Sequence, residues 1–244
     1  MAAPQFKQNN MRRLLNEGKR VFGAWLLIPS TITVEIAGWA GLDFAVIDNE
    51  HGWFNDETVG EMIRAAENVG ISLIVRVVEN TPSLILKVLN AGADGVIVSH
   101  VRTKEDAEAA VRYARYAPHG FRGQMHSMRR EGYGTIDNKE YLAALNREIM
   151  VFLTIEDVEG IANLDEIAQV KGVDVLLIGR ADLAQSMGMP GEVNHPDVIA
   201  AEEKIHAAAK ANGLAFYGDQ VIDAGIDQDM LLNGWMKARK ELGG

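Results

Sequence analysis

Short apolar, β-branched runs alternate along the chain with longer amphipathic stretches. Residues 22–28, 43–48, 72–77, 95–98, 149–155, 174–178 and 214–217 predict buried strands. Each is a continuous apolar run rather than an alternating one, the pattern of a parallel sheet covered by helices. Residues 57–69, 82–90, 104–113 and 197–212 predict the covering helices. Gly70, Gly92 and Gly213 follow helical stretches as left-handed stops, and Thr103 and Asp157 stand where N-caps are useful. Seven clear strands and one indistinct one, with no G-x-G-x-x-G turn after the first, favour an α/β (β/α)8 TIM-type barrel over an open doubly wound sheet. Residues 1–244 carry no linker, low-complexity run or composition break, so they read as a single barrel domain.

Two stretches depart from that regularity. Residues 118–134 are rich in Gly, Arg and His and predict a long loop on the catalytic side of the barrel. From Gly213 onward 32 residues remain, whereas two full βα units need roughly 50 to 60. An abbreviated or exchanged C-terminal unit follows, with residues 225–227 closing the sheet and residues 230–242 forming a last helix. Its Met230, Leu231, Trp235, Met236 and Leu242 need an apolar surface to cover them.

Charge narrows the function classes. Lys and Arg number 24 against 34 Asp and Glu, a formal net charge of −10, which argues against a nucleic-acid partner. A small anionic substrate remains open to local arginines. With no cysteine, disulfides, thiolate catalysis and zinc-thiolate sites are excluded. No apolar run approaches the ~20 residues of a membrane span, and residues 1–7 lack the layout of a leader, so a cytoplasmic protein is expected.

Polar residues interrupt the strand ends at a steady interval. His51 in Asp48-Asn49-Glu50-His51, Arg76 and Ser99-His100 recur about 25 residues apart, as do Glu156 and Asp182, one βα repeat each. Equivalent ends of parallel strands share one rim. Two carboxylates without cysteine suit a hard, water-keeping divalent ion such as magnesium or manganese. Arg76 suits a carboxylate or oxyanion, and His51 suits proton transfer. Plainer readings stand beside these. Glu156 and Asp182 fit the acidic first turn or N-cap of a helix, His51 fits a turn, and His100 fits a structural hydrogen-bonder. His206 reads as solvated, and Trp25, Trp39, Trp53 and Trp235 read as packing residues. Arg76, inside an apolar run, needs a partner on any reading.

These residues resemble those of the HpcH/HpaI aldolases, the metal-dependent class II pyruvate aldolases of 4-hydroxy-2-oxoheptanedioate aldolase type. The similarity runs from about residue 11 to 212 through Phe22-Gly23-Ala24-Trp25, Asp48-Asn49-Glu50-His51-Gly52, Val75-Arg76, Gly92-Ala93-Asp94-Gly95, Arg122-Gly123, Ile155-Glu156 and Gly179-Arg180-Ala181-Asp182-Leu183, and resumes at residues 224–232. It implies a lyase that breaks or forms a carbon–carbon bond of a 4-hydroxy-2-oxo acid, giving pyruvate and an aldehyde through a metal-bound enolate. By position it implies Glu156 and Asp182 as metal ligands, with magnesium or manganese expected and cobalt a further option. Arg76 would stabilise the enolate, His51 would be the acid/base with Asp48 beside it, and Thr154, Ala181 and Asp182 would contact the 2-oxo acid. It also implies a homo-oligomer, a hexamer built from dimers that exchange the last helix.

Six positions depart from that pattern, among them Gln124-Met125, which follow Arg122-Gly123 in place of the usual pair. Asn90 stands where an aspartate commonly supports the histidine, Thr154 where a glutamine is usual, and Ser99 and Arg180 where prolines are common. A less basic His51 suits an oxaloacetate decarboxylase or related 2-oxo-acid lyase, which needs no base at a 4-hydroxyl. A catalytically silent barrel serving as a binding or assembly subunit is the reading from another class.

Overall fold

A computed structural model describes residues 8–136 and 138–243; the leader expectation for residues 1–7 lies outside them. The chain opens with α1 (Asn10–Asn16), β1 (Val21–Leu26), α2 (Thr31–Trp39), β2 (Phe44–Asp48), α3 (Asp56–Val69), β3 (Ser72–Val77), α4 (Pro82–Ala91) and β4 (Gly95–Val98). It continues with α5 (Lys104–Ala114), a 3-10 turn (Arg129–Gly134), α6 (Asn138–Glu148), β5 (Met150–Ile155), α7 (Val158–Ala162), α8 (Leu164–Ala168) and β6 (Val175–Ile178). Last come α9 (Arg180–Ser186), α10 (Pro196–Ala211), β7 (Ala215–Phe216), β8 (Val221–Ile226) and α11 (Asp227–Glu241). Among the described residues eight parallel strands run in the order β7-β6-β5-β4-β3-β2-β1-β8. This is a nearly closed TIM-type barrel.

Local chemistry explains the helix starts. Thr103 and Asp106 form a reciprocal capping box at α5, Asn55 caps α3, and Thr81 with Pro82 starts α4. Asp157 stands at the N-cap of α7 but makes no capping hydrogen bond; its carboxylate is engaged elsewhere.

Period-2 alternation then fills the barrel. Phe44 and Val46, Ile74, Ile97, Met150 and Phe152, and Val175 and Leu177 point inward to one buried cluster, and Met11 of α1 closes its base. The intervening strand residues pack outward against the helices. The next inward positions of these strands are Asp48, Arg76, Ser99, Thr154 and Gly179. The site is therefore the top layer of the barrel, at the carboxyl ends of the strands.

Two expectations change. β8 begins at Val221 rather than Gly225 and pairs with β1 over Val21–Val221 through Trp25–Ile226. Its Asp223 and Gly225 give it no apolar run, which hid it. β7 and β8 are joined by residues 217–220 with no helix between them and meet only at a Tyr217–Val221 bridge. The abbreviated unit is therefore real, and the wall is short between β7 and β8. The loop at residues 118–134 lies at the opposite end from the catalytic rim. Arg129 donates to Ala91 O at the end of α4 and Arg130 to Ala93 O in the turn that enters β4. It follows α5, not β4, so the chain has already returned to the base.

Candidate active site

Parallel register sets the first contact, since Asp48 of β2 lies beside Arg76 of β3. Arg76 donates from Nε to Asp48 Oδ1 at 2.8 Å and from Nη2 to Oδ2 at 2.5 Å. Its Nη1 lies 3.1 Å from Glu50 Oε2, and its guanidinium stacks 5.0 Å over the Trp25 ring. Burial disfavours the charge on each partner, yet the pair outweighs it, raising Arg76 and lowering Asp48 from their ordinary pKa values.

Such a pair makes stability acid-sensitive. With its folded pKa lowered, Asp48 contributes stability that is full above its unfolded value of about 3.9 and lost as pH falls through the lower folded value. The urea midpoint should therefore fall more steeply below about pH 4 in the native chain than in Asp48→Asn. Matching slopes would remove the pair from the stability account.

The second half of the rim is acidic. Glu156 is buried, and its Oε1 accepts from the His100 backbone N–H at 2.8 Å. Burial raises its pKa, the His100 contacts oppose this, and the nearby charges of Asp182 and Glu50 add to it. Asp157 holds His100 Nδ1 at 3.1 Å and Arg102 Nε at 3.0 Å. Ser99 Oγ donates to Glu50 Oε2 at 2.8 Å. Glu50 thus joins Arg76 to Ser99. It had no separate role in the sequence reading, because only the strand register shows what it touches. His100 is both a rim residue and a hydrogen-bonder.

Asp182 lies in the first turn of α9, whose N-cap is Gly179, so it is not an N-cap. Carboxylates here outnumber the guanidiniums of Arg76 and Arg102, and burial first, then the charges of Asp182 and Glu50, push Glu156 toward protonation. That is the electrostatics of a cation site. Among the described residues no three acidic or imidazole groups form a preformed cage. Two carboxylates with water and substrate suffice for a magnesium-like ion, so the residues present fit one. Thr154 is buried with its Oγ1 unpartnered, a donor aimed at nothing in the protein.

Gly179 allows the close packing of Glu156. A Cβ there would fall 1.9 Å from Glu156 Oε2 and 2.9 Å from its Cβ. Gly179→Ala should displace that carboxylate and abolish most activity with circular dichroism unchanged; full activity would show that the carboxylate's position is immaterial. Gly52 is equally confined, its Cβ position lying 2.5 Å from Asp48 O.

The remaining expected residues are dispersed. His51 is exposed in the turn after β2, 4.0 Å from Glu50 Oε2. Asn90 does not support it, because its Oδ1 accepts from Arg122 Nη2 at 2.8 Å. Arg180 turns away to Glu202. Trp25 packs as expected, but Trp39, Trp53 and Trp235 are 88%, 93% and 69% exposed. His206 is not merely solvated, since it bonds Asp219 at 3.1 Å and stacks on Phe216.

Comparison with known proteins adds an independent line. The model of the HpcH/HpaI aldolase/citrate lyase family matches residues 21–237. A pyruvate aldolase of Rhizobium etli is 38% identical over 195 residues, 80% of this chain and 76% of the relative. A hydroxypyruvate/pyruvate aldolase of Roseobacter denitrificans is 34% identical, covering 90% and 87%. The crystal structure of an HpcH/HpaI aldolase/citrate lyase family protein from Burkholderia cenocepacia J2315 superposes with a TM-score of 0.90 at 30% identity, covering 96% and 98%.

Proposed function

The chain belongs to the HpcH/HpaI aldolase/citrate lyase family and is a carbon–carbon lyase; from that premise we propose that it cleaves or forms a 4-hydroxy-2-oxo acid, with pyruvate and an aldehyde as the other side of the reaction. The observation that carries this reading is Arg76, a half-buried guanidinium held in place by Asp48 and Glu50 beside an acidic rim. Glu156 and Asp182 would hold a divalent cation, magnesium or manganese by their chemistry and cobalt as a further option. When bound it would supply a Lewis acid for the 2-oxo group.

The chain's own residues do the rest. Asp48 and Glu50 leave two of the five N–H groups of Arg76 for the oxygen that gains charge. Thr154 Oγ1 and the first-turn N–H groups of Ala181 and Asp182 would hold the pyruvyl carboxylate. His51 takes the 4-hydroxyl proton as the C3–C4 bond breaks, the electron pair passes to the enolate, and a proton returned to C3 gives pyruvate.

Among the described residues the His51 ring has no carboxylate within hydrogen-bond reach, Glu50 being 4.0 Å away, which favours oxaloacetate decarboxylation as a second activity. Pyruvate release from a hydroxy-oxo acid and from oxaloacetate, each with and without chelator, tests both. His51→Ala should impair aldol cleavage more than decarboxylation. Equal losses would remove the role of His51, and no pyruvate from either substrate would sink the reading.

Assembly belongs to the same proposal. Asp227 pins the start of α11 by accepting from Leu27 N at 2.9 Å and Ile28 N at 3.1 Å. Beyond it Met230, Leu231, Leu232, Trp235, Met236 and Leu242 are exposed, a face that needs covering. A second copy that exchanges this helix would cover it, in a hexamer of dimers. Light scattering should then give a multiple of the 26.7 kDa chain mass; a concentration-independent monomer would rule assembly out. Among the described residues no helix is long and apolar enough to cross a membrane. A single-domain, cytoplasmic enzyme for small 2-oxo acids, without nucleic-acid or membrane partners, completes the proposal.

A further inference from the structure

At the base of the barrel, away from the catalytic rim, a cavity of about 750 Å³ opens between α5, α6 and the turn that enters β6. Ligand pockets commonly occupy about 300–1,000 Å³. Five cationic side chains line it, Arg12, Arg115, Lys139, Arg147 and Lys171, with Asp174 as the one lining carboxylate among the described residues. In a chain of net charge −10 this runs against the general trend.

Asp174 is already committed, to Arg12 Nη2 at 2.8 Å and to Val151 N at 2.9 Å. Arg147 and Lys171 form no ion pair among the described residues, and both are exposed at the mouth. Arg115 is only 5% exposed. Its Nη2 reaches Gly172 O at 3.3 Å, but its Nη1 is buried with no hydrogen-bond partner. Burial pushes its pKa down to about 10, with the Asp174 charge opposing and the Arg12 charge assisting that shift. A buried guanidinium nitrogen without an acceptor is costly unless something supplies one. Val111, Pro118 and Leu142 give the cavity an apolar wall.

We propose that this cavity binds a small organic phosphate, its oxygens on Lys171 and Arg147 with the Arg115 charge behind them, and its organic body against Val111, Pro118 and Leu142. Several separate cations against one committed carboxylate suit a dianion with three acceptor oxygens better than a monocarboxylate, whose single charge one guanidinium fork satisfies.

Calorimetric titration with phenyl phosphate, in chelator and at low ionic strength, tests this with the full chain. Since removal of a buried guanidinium can unfold the protein, the variants are Lys171→Glu and Arg147→Glu, at exposed positions outside the catalytic rim. Saturable binding weakened about tenfold or more by each charge reversal is expected, with benzoate binding more weakly. Absence of binding, affinity unchanged from the native chain in either variant, or benzoate binding as tightly as phenyl phosphate would overturn the proposal.

Discussion

Arg76→Lys is expected to cut kcat by about 10²–10³-fold, the usual cost of losing a donor aimed at developing charge. Arg76 spends three nitrogens on Asp48 and Glu50 and rests its face on Trp25. An ammonium has three donors and no plane. It can satisfy the two carboxylates or the substrate oxygen, but not all of them in fixed directions. Because the lost contact strengthens as charge develops, kcat should fall more than KM rises. A loss below about tenfold in a folded variant would contradict a role for Arg76 in charge stabilisation.

Glu156→Gln is the second large effect. The amide keeps the shape and can still accept from the His100 N–H, but it removes the charge that a cation needs. Loss of activity by about 10²-fold or more is expected, together with loss of the rise in Tm that magnesium or manganese is expected to confer on the native chain. Without metal the variant should be at least as stable as the native chain near neutral pH. The raised folded pKa of Glu156 means that its ionised form costs stability once pH exceeds the unfolded value. Asp182→Ala should likewise lose the cation response. An unchanged response in both variants would place any cation elsewhere.

The sequence revealed α3, α4, α5 and α10 to within a residue or two, and Thr103 announced the start of α5 with local chemistry; the short helices α1 and α7 to α9, with α2 and α6, carried no periodicity strong enough to stand out. The strands showed as apolar runs, except β8, whose Asp223 and Gly225 break the pattern. Asp48, Arg76 and Glu156 stood out as charges in or beside buried strands. Glu50 did not, because its bridge from Arg76 to Ser99 depends on register between strands. Asp227 was likewise hidden, since the Leu27 N–H that donates to it, just past the end of β1, lies 200 residues away in sequence. The loop at residues 118–134 was placed on the wrong face because composition marks a loop without saying which end of the barrel the chain has reached.

The central claim, formation of a pyruvate enolate at the Arg76 rim, is tested most directly without any aldehyde partner. Pyruvate incubated with the protein in D2O should lose its methyl proton signal by exchange at C3, provided magnesium or manganese is present. The exchange should stop on chelation and fall by about 10²-fold or more in Arg76→Lys. Persistent methyl protons in metal-loaded native protein, or exchange undiminished by Arg76→Lys, would contradict the account.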